Sequence, residues 1–318
     1  MEFISKKNLD LINKKISEYP YEGIIFFVSD ENYSIFLNPL LASLNLYAEK
    51  WLYIYVQLGS FTFNYIHKKN LIEIKIDYPE NTIKNKKKAY AANVRAPIIY
   101  ELARGINANK LIYTDIDNIL VNNVNKLFNQ KKLYIRKVNL NLIDQILGSE
   151  IRVMKHKSGV IILKTDDKKY LRDDDFIIQF TKLYSDYCLL NFYIWFTDQI
   201  YLSKTIEELI NSYKYISFNK KFCDWDFSPY SYFWAAKGYI KDTILWKLIS
   251  KKTIFIFMLK RKLNSKYKNL ILSILLFSDK TTNFLIYPIM FIRYKLINFL
   301  FRFIKFYLKK LFSKIIKD

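Results

Sequence analysis

Between residues 23 and 163, short runs of β-branched, aromatic and aliphatic residues alternate with segments of helical periodicity, and this rhythm constrains the fold more than any other feature. "GIIFFVS" (23–29), "WLYIYVQ" (51–57) and "LIEIKI" (71–76) read as strands, with a helix predicted over 35–48 between the first two. "NKKKAYAANVRAPIIYELARG" (85–105) carries apolar residues at helical spacing and closes on Gly105, a common helix terminus, with Pro97 near a kink. A strand "KLIYT" (110–114) follows, then a short helix over 124–128, strands over 133–138 and 159–163, and helices over 173–187 and 198–211. Strands joined through helices predict an α/β fold, in which ligands bind beyond the carboxyl ends of the strands. There is no internal repeat, and 318 residues, 51 % of them hydrophobic, suffice for one large core or two smaller ones.

The stretch "YTDIDNILV" sets two charges, Asp115 and Asp117, at the carboxyl end of the 110–114 strand. In an extended segment, alternation places both on one side and turns Ile116 into the core. Two carboxylates facing one point suit Mg²⁺ or Mn²⁺, which bind one or two protein carboxylates together with substrate phosphates. An Asp-x-Asp triplet alone serves equally as a solvated loop or a helix cap.

The surroundings of the triplet carry more information. "VRAPIIYELARGINANKLIYTDIDNILVNNVNKLF" resembles the donor-site core of the GT-A nucleotide-sugar glycosyltransferases, in particular the retaining family 8 enzymes. In that family a helical Arg precedes a strand ending in Asp-x-Asp, so the resemblance implies a GT-A, Rossmann-like mixed sheet flanked by helices. It also implies Asp115 and Asp117 as metal ligands and Arg95 as a donor-site residue. "IIFFVSDENY" is similar to the family's first strand and turn, which makes Asp30 and Asn32 candidate contacts to a uracil edge; a carboxylate can accept its imide proton. The same four residues, Asp30 to Tyr33, read equally as a turn or N-cap. "HKSGVIIL" keeps a small pair, Ser158 and Gly159, where a sugar approaches the backbone, and "FTDQIYLSK" supplies Asp198 and Gln199 beside the donor sugar. Asp198 also reads as a helix N-cap with Thr197. The family's closing His-x-x-Gly-x-x-Lys is similar to "AAKGYIK": Gly238 and Lys241 match, but Ala235 stands at the position of the metal-binding His. His67 and His156 are expected at the surface or in loops, and the acidic run Asp173 to Asp175 at a helix N-terminus.

The implied activity is transfer of a hexose or N-acetylhexosamine from a UDP-sugar, with retention, to a membrane-anchored glycan or glycolipid acceptor such as lipopolysaccharide. An inverting enzyme of the same fold, or an inactive sugar-nucleotide-binding protein on a membrane, remain the alternatives.

Charge is distributed unevenly. Residues 241–318 hold 18 Lys or Arg against 3 Asp or Glu, a net of +15 out of the chain's +22. Abundant Lys, Ile, Asn, Tyr and Phe with only 6 Gly and 6 Pro is the usage of an AT-rich bacterial genome, so position matters more than the total. From Arg293, polar residues recur every three or four positions opposite a wide apolar face, an amphipathic helix. The apolar stretches before it fall short of the ~20 residues that span a bilayer. The division expected is a catalytic domain over 1–240 and a basic aromatic tail over 241–318. That tail would lie on anionic inner-membrane lipids at the cytoplasmic face, or else pack on the catalytic domain. A nucleic-acid partner is not expected, since no recognition module accompanies the charge. Cys188 and Cys223 lack metal or disulfide spacing, and the N-terminus lacks the pattern of a secretory leader.

Overall fold

The computed structural model describes residues 2–66, 68–79, 82–128, 130–137, 155–165, 173–224, 228, 230–235 and 244–262. It is a mixed α/β fold with a central sheet flanked by helices. The strands are β1 (Ile24–Ser29), β2 (Leu52–Leu58), β3 (Leu71–Ile76), β4 (Lys110–Thr114), β5 (Asn118–Leu120), β6 (Leu133–Lys137), β7 (His156–Lys164), β8 (Ile216–Phe218) and β9 (Phe233–Ala235). The helices are α1 (Lys6–Glu18), α2 (Leu37–Tyr47), α3 (Lys84–Asn93), α4 (Arg95–Gly105), α5 (Phe176–Leu190), α6 (Thr197–Glu208) and α7 (Ile244–Lys262).

Seven strands form the main sheet in the order β3-β2-β1-β4-β7-β6-β8, and β5 pairs with β9 in a separate two-stranded sheet. β1, β2, β3 and β4 run parallel, whereas β7 is antiparallel to β4 and β6. Both β1 and β2 are buried along their whole length, as apolar strands covered on two faces must be. The order reverses at β1, with β2 on one side and β4 on the other, so the crevice beyond the carboxyl ends of β1 and β4 is a topological switch point. Asp30 and Asp115 follow directly on those two ends.

The periodic segment expected as one helix over 85–105 is two, α3 and α4, broken at Val94. Pro97 falls in the first turn of α4, where its missing N–H costs nothing. Gly105 ends α4, and its lack of a side chain admits Leu9 of α1: a Cβ there would lie 2.8 Å from Leu9 Cδ1. Helix α1, capped by Ser5, packs its buried Ile12 into the same core. Cys188 and Cys223 are buried and free.

Helix α7, the start of the expected tail, packs against α2, and Lys260 Nζ donates to the carbonyl of Asn45 at 3.2 Å. The amphipathic pattern beyond Arg293 lies outside the described residues, as do Gly238, Lys241 and His67. Among the described residues no helix is long and apolar enough to cross a membrane.

Candidate active site

The chain beyond β4 is a turn rather than the extended segment expected for Asp115 and Asp117. The N–H of Asn118 closes back on the carbonyl of Asp115 at 3.2 Å. The side chain of Asn118 donates to Thr114 Oγ1 (2.9 Å) and to the carbonyl of Gly159 (2.8 Å). That carbonyl also accepts the N–H of Asp115 at 2.8 Å. The turn is thus stitched to β7, and the two aspartates differ in setting: Asp117 is buried and Asp115 partly exposed. Ile116 does enter the core.

Arg95, at the start of α4, is buried and spans two carboxylates. Its Nη1 donates to Asp115 Oδ1 at 2.5 Å and to the Tyr113 hydroxyl at 2.9 Å, and its Nη2 donates to Asp198 Oδ2. Tyr113 in turn donates to Asp115 Oδ1 at 2.6 Å. Burial opposes the guanidinium charge, but Asp198, Tyr113 and Asp115 outweigh it and hold the Arg95 pKa well above the ordinary arginine range. Burial likewise lifts the Tyr113 phenol well above its usual value, despite the opposing pull of Arg95. Tyr113 therefore stays protonated as a donor.

Asp198 lies in the first turn of α6, after Phe196 rather than at the cap itself. Its carboxylate also accepts from Ser158 Oγ of β7, and its N–H donates to Asn93 Oδ1 at 3.0 Å. Gln199 accepts from Lys157 Nζ at 3.0 Å through Oε1. Asp30 caps a short 3₁₀ helix, Glu31–Phe36, by accepting the N–H of Tyr33 at 3.1 Å, and Asn32 is exposed on that helix. The cap reading and the site reading of Asp30 are compatible, since one oxygen suffices for the cap.

Four distant segments thus converge, bringing together Arg95, Asp115, Asp198 and Ser158. Three participants were not singled out in the sequence: Tyr113, Asn93 and Lys157. Asn93 had a signal, standing two residues before Arg95 at the helix break. Ala235 pairs directly with Asn118 across the small sheet, next to Asp117. His156, expected at the surface or in a loop, is buried on β7 against Phe218, because the strand reaches farther toward its N-terminus than the apolar run suggested. Asp175 caps α5 without a side-chain hydrogen bond and lies 3.7 Å from Lys132.

Carboxylates such as those of Asp115 and Asp117 have the hard-oxygen chemistry that a divalent cation takes together with phosphate and water oxygens, and Asp115 Oδ1 is engaged by Arg95 and Tyr113. Ala235 contributes no ligand. Among the described residues no group of three or more His, Cys, Asp or Glu is placed to hold a metal.

No family model and no curated relative matches the chain. Solved structures similar to it include the galactosyltransferase LgtC with donor and acceptor sugar analogues, 15 % identical at a TM-score of 0.40 over 71 % of this chain and 82 % of that one. The glycosyltransferase GlyE of Streptococcus pneumoniae is 13 % identical at 0.37, over 63 % of this chain and 46 % of GlyE. The bifunctional glycosyltransferase WbbM is 10 % identical at 0.40, over 64 % of this chain and 40 % of WbbM. The chain thus spans about half the length of GlyE and less than half that of WbbM. Scores of this size assign neither activity nor residue roles to it.

Proposed function

We propose that the chain is a nucleotide-sugar glycosyltransferase that moves a hexosyl unit from a UDP-sugar, with retention, to a glycan acceptor anchored in a membrane. The reading rests above all on one observation: buried Arg95, Asp198 and Ser158 and partly exposed Asp115 form a single polar cluster at the switch point of the sheet. Buried charges are costly unless paired, and a cluster of them where ligands bind is a functional-site signal.

In this reading Asp30 and Asn32 take the uracil edge, and Asp198, Ser158 and Gly159 receive the sugar hydroxyls and the backbone-hugging face of the ring. Arg95 sets Asp198 in orientation and offsets negative charge near the leaving diphosphate, and the sequence resemblance adds Gly238 and Lys241 as candidate diphosphate contacts. A divalent cation, Mn²⁺ or Mg²⁺, held by Asp115 and Asp117 would supply positive charge to the diphosphate as it departs. The bond from C1 to the diphosphate oxygen breaks with its electron pair passing to that oxygen. The acceptor hydroxyl oxygen then bonds to C1 on the same face, and its proton passes to the departing phosphate. Gln199, held by Lys157, lies below C1 and steadies the developing positive charge there.

A second reading, an inactive sugar-nucleotide-binding protein, is favoured by Ala235, which faces Asn118 where a third ligand would be useful. Calorimetric titration with UDP, with and without Mn²⁺, tests the binding step. Binding strengthened by Mn²⁺ is expected; no binding in either condition would contradict donor binding altogether. Turnover of bound UDP-sugar then separates the active from the inactive reading.

A further inference from the structure

The end of α5 and the segment joining it to α6, residues 189–196 together, turn large apolar side chains outward. Leu190 is 77 % exposed and Ile194 57 %, and Tyr193, Trp195 and Phe196 are exposed beside them. Soluble surfaces seldom gather so many large apolar groups without a partner for them. The segment is also firmly held. Phe192 inserts into the core with its ring centroid 4.7 Å from that of Tyr90, and Asn93 donates to the carbonyls of Phe192 (2.7 Å) and Ile194 (3.0 Å). Phe196 is fixed in the left-handed region at φ 68, an outlier for a bulky residue. These anchors keep the neighbouring side chains from folding back onto the core.

A basic helix face borders the patch. Lys86 Nζ lies 5.4 Å from the Tyr193 ring centroid and Lys88 Nζ 4.7 Å from that of Trp195, and Lys86, Lys87 and Lys88 are all exposed on α3. Neither α3 nor residues 189–196 contain an acidic residue. We propose that this patch docks on an anionic lipid bilayer, with Leu190, Ile194 and Trp195 entering the boundary between headgroups and acyl chains while Lys86, Lys87 and Lys88 engage anionic headgroups. The two most exposed side chains are aliphatic, with no stacking face or hydrogen-bonding group for a sugar, so hydrocarbon fits them better than a glycan does. Phe196 runs directly into Thr197 and Asp198, so docking here brings the polar cluster to the bilayer surface. The inference goes beyond the proposed transfer reaction and is tested without any sugar donor.

The test uses the full chain with vesicles of phosphatidylglycerol and phosphatidylethanolamine whose acyl chains carry bromine, against phosphatidylcholine vesicles. Tryptophan fluorescence is expected to be quenched by the anionic vesicles, and Trp195→Phe to lose most of that quenching while still binding. Ile194→Asp and Lys88→Ala are each expected to weaken binding about fivefold, the effect of losing one favourable interfacial contact. Both sites are exposed, and unchanged thermal unfolding checks that the variants fold. Equal quenching of the wild type and Trp195→Phe would overturn the proposal, as would undiminished binding by Ile194→Asp, which would assign attachment to another part of the chain. Self-association without vesicles that Ile194→Asp abolishes would assign the patch to a second copy of the chain and overturn it too.

Discussion

Arg95 and Asp198, 103 residues apart in the chain, meet as a buried ion pair in which Arg95 Nη2 donates to Asp198 Oδ2. The other terminal nitrogen holds Asp115 at 2.5 Å, so one guanidinium bridges two carboxylates. Removing such a bridge leaves both acids without their shared counter-charge in a site from which water is largely excluded. Arg95→Met is expected to lower the stability by about 3–5 kcal/mol. Urea unfolding measures the loss, and the double variant with Asp198→Asn is expected to recover part of it.

The pairing itself was not readable in the sequence, although its members were. Strands β3 and β4 fall on the expected residues because each run of apolar and β-branched residues ends sharply at polar neighbours. Helix α1 is signalled only weakly by its residues: Ser5 caps it and Leu9, Ile12 and Ile16 share a face, but charged and polar residues fill the rest of the segment. β5, β8 and β9 are three residues long, too short for any period to register. Strand alternation stops short of Asp115 to Asp117 because Asn118 clamps the chain to Gly159 of β7, a contact between remote segments that no local pattern encodes. Distances between remote segments, such as Asp198 to Arg95, arise from the packing of α6 beside β7, which no local pattern encodes.

His156 ties stability to pH. Burial on β7, helped by the positive charge of Lys137, pulls its pKa from 6.5 down to about 4. The unfolded chain protonates this imidazole near 6.5 while the folded one keeps it neutral, so the unfolded state binds more protons between pH 6.5 and 4. The stabilisation is therefore fully present above pH 6.5 and is lost as pH falls toward 4. Between pH 7 and 5 the wild type is expected to lose roughly 2 kcal/mol through this group. Urea midpoints at the two pH values check it: His156→Phe, which keeps the ring against Phe218, is expected to lose correspondingly less.

Gly23 admits Trp51 where β1 and β2 begin in the main sheet. A Cβ at Gly23 would lie 2.5 Å from Trp51 Cζ3 and 2.9 Å from Lys110 Cβ. Trp51 has little room to yield, because it is fully buried and its indole N–H donates to Asn125 Oδ1 at 3.0 Å. Gly23→Ala is expected to cost about 1–3 kcal/mol through overpacking. Thermal unfolding at the wild-type midpoint would contradict this packing account.

The central claim is that the Asp115 to Asp117 turn serves the departing diphosphate of a sugar nucleotide. The most direct measurement is release of UDP from a panel of UDP-sugars by the purified full chain, with Mn²⁺ and without, for the wild type and Asp117→Asn. Metal-dependent release by the wild type, reduced at least ~100-fold in a normally folded Asp117→Asn variant, is the predicted result. Wild-type release that Asp117→Asn leaves near normal would contradict the assignment.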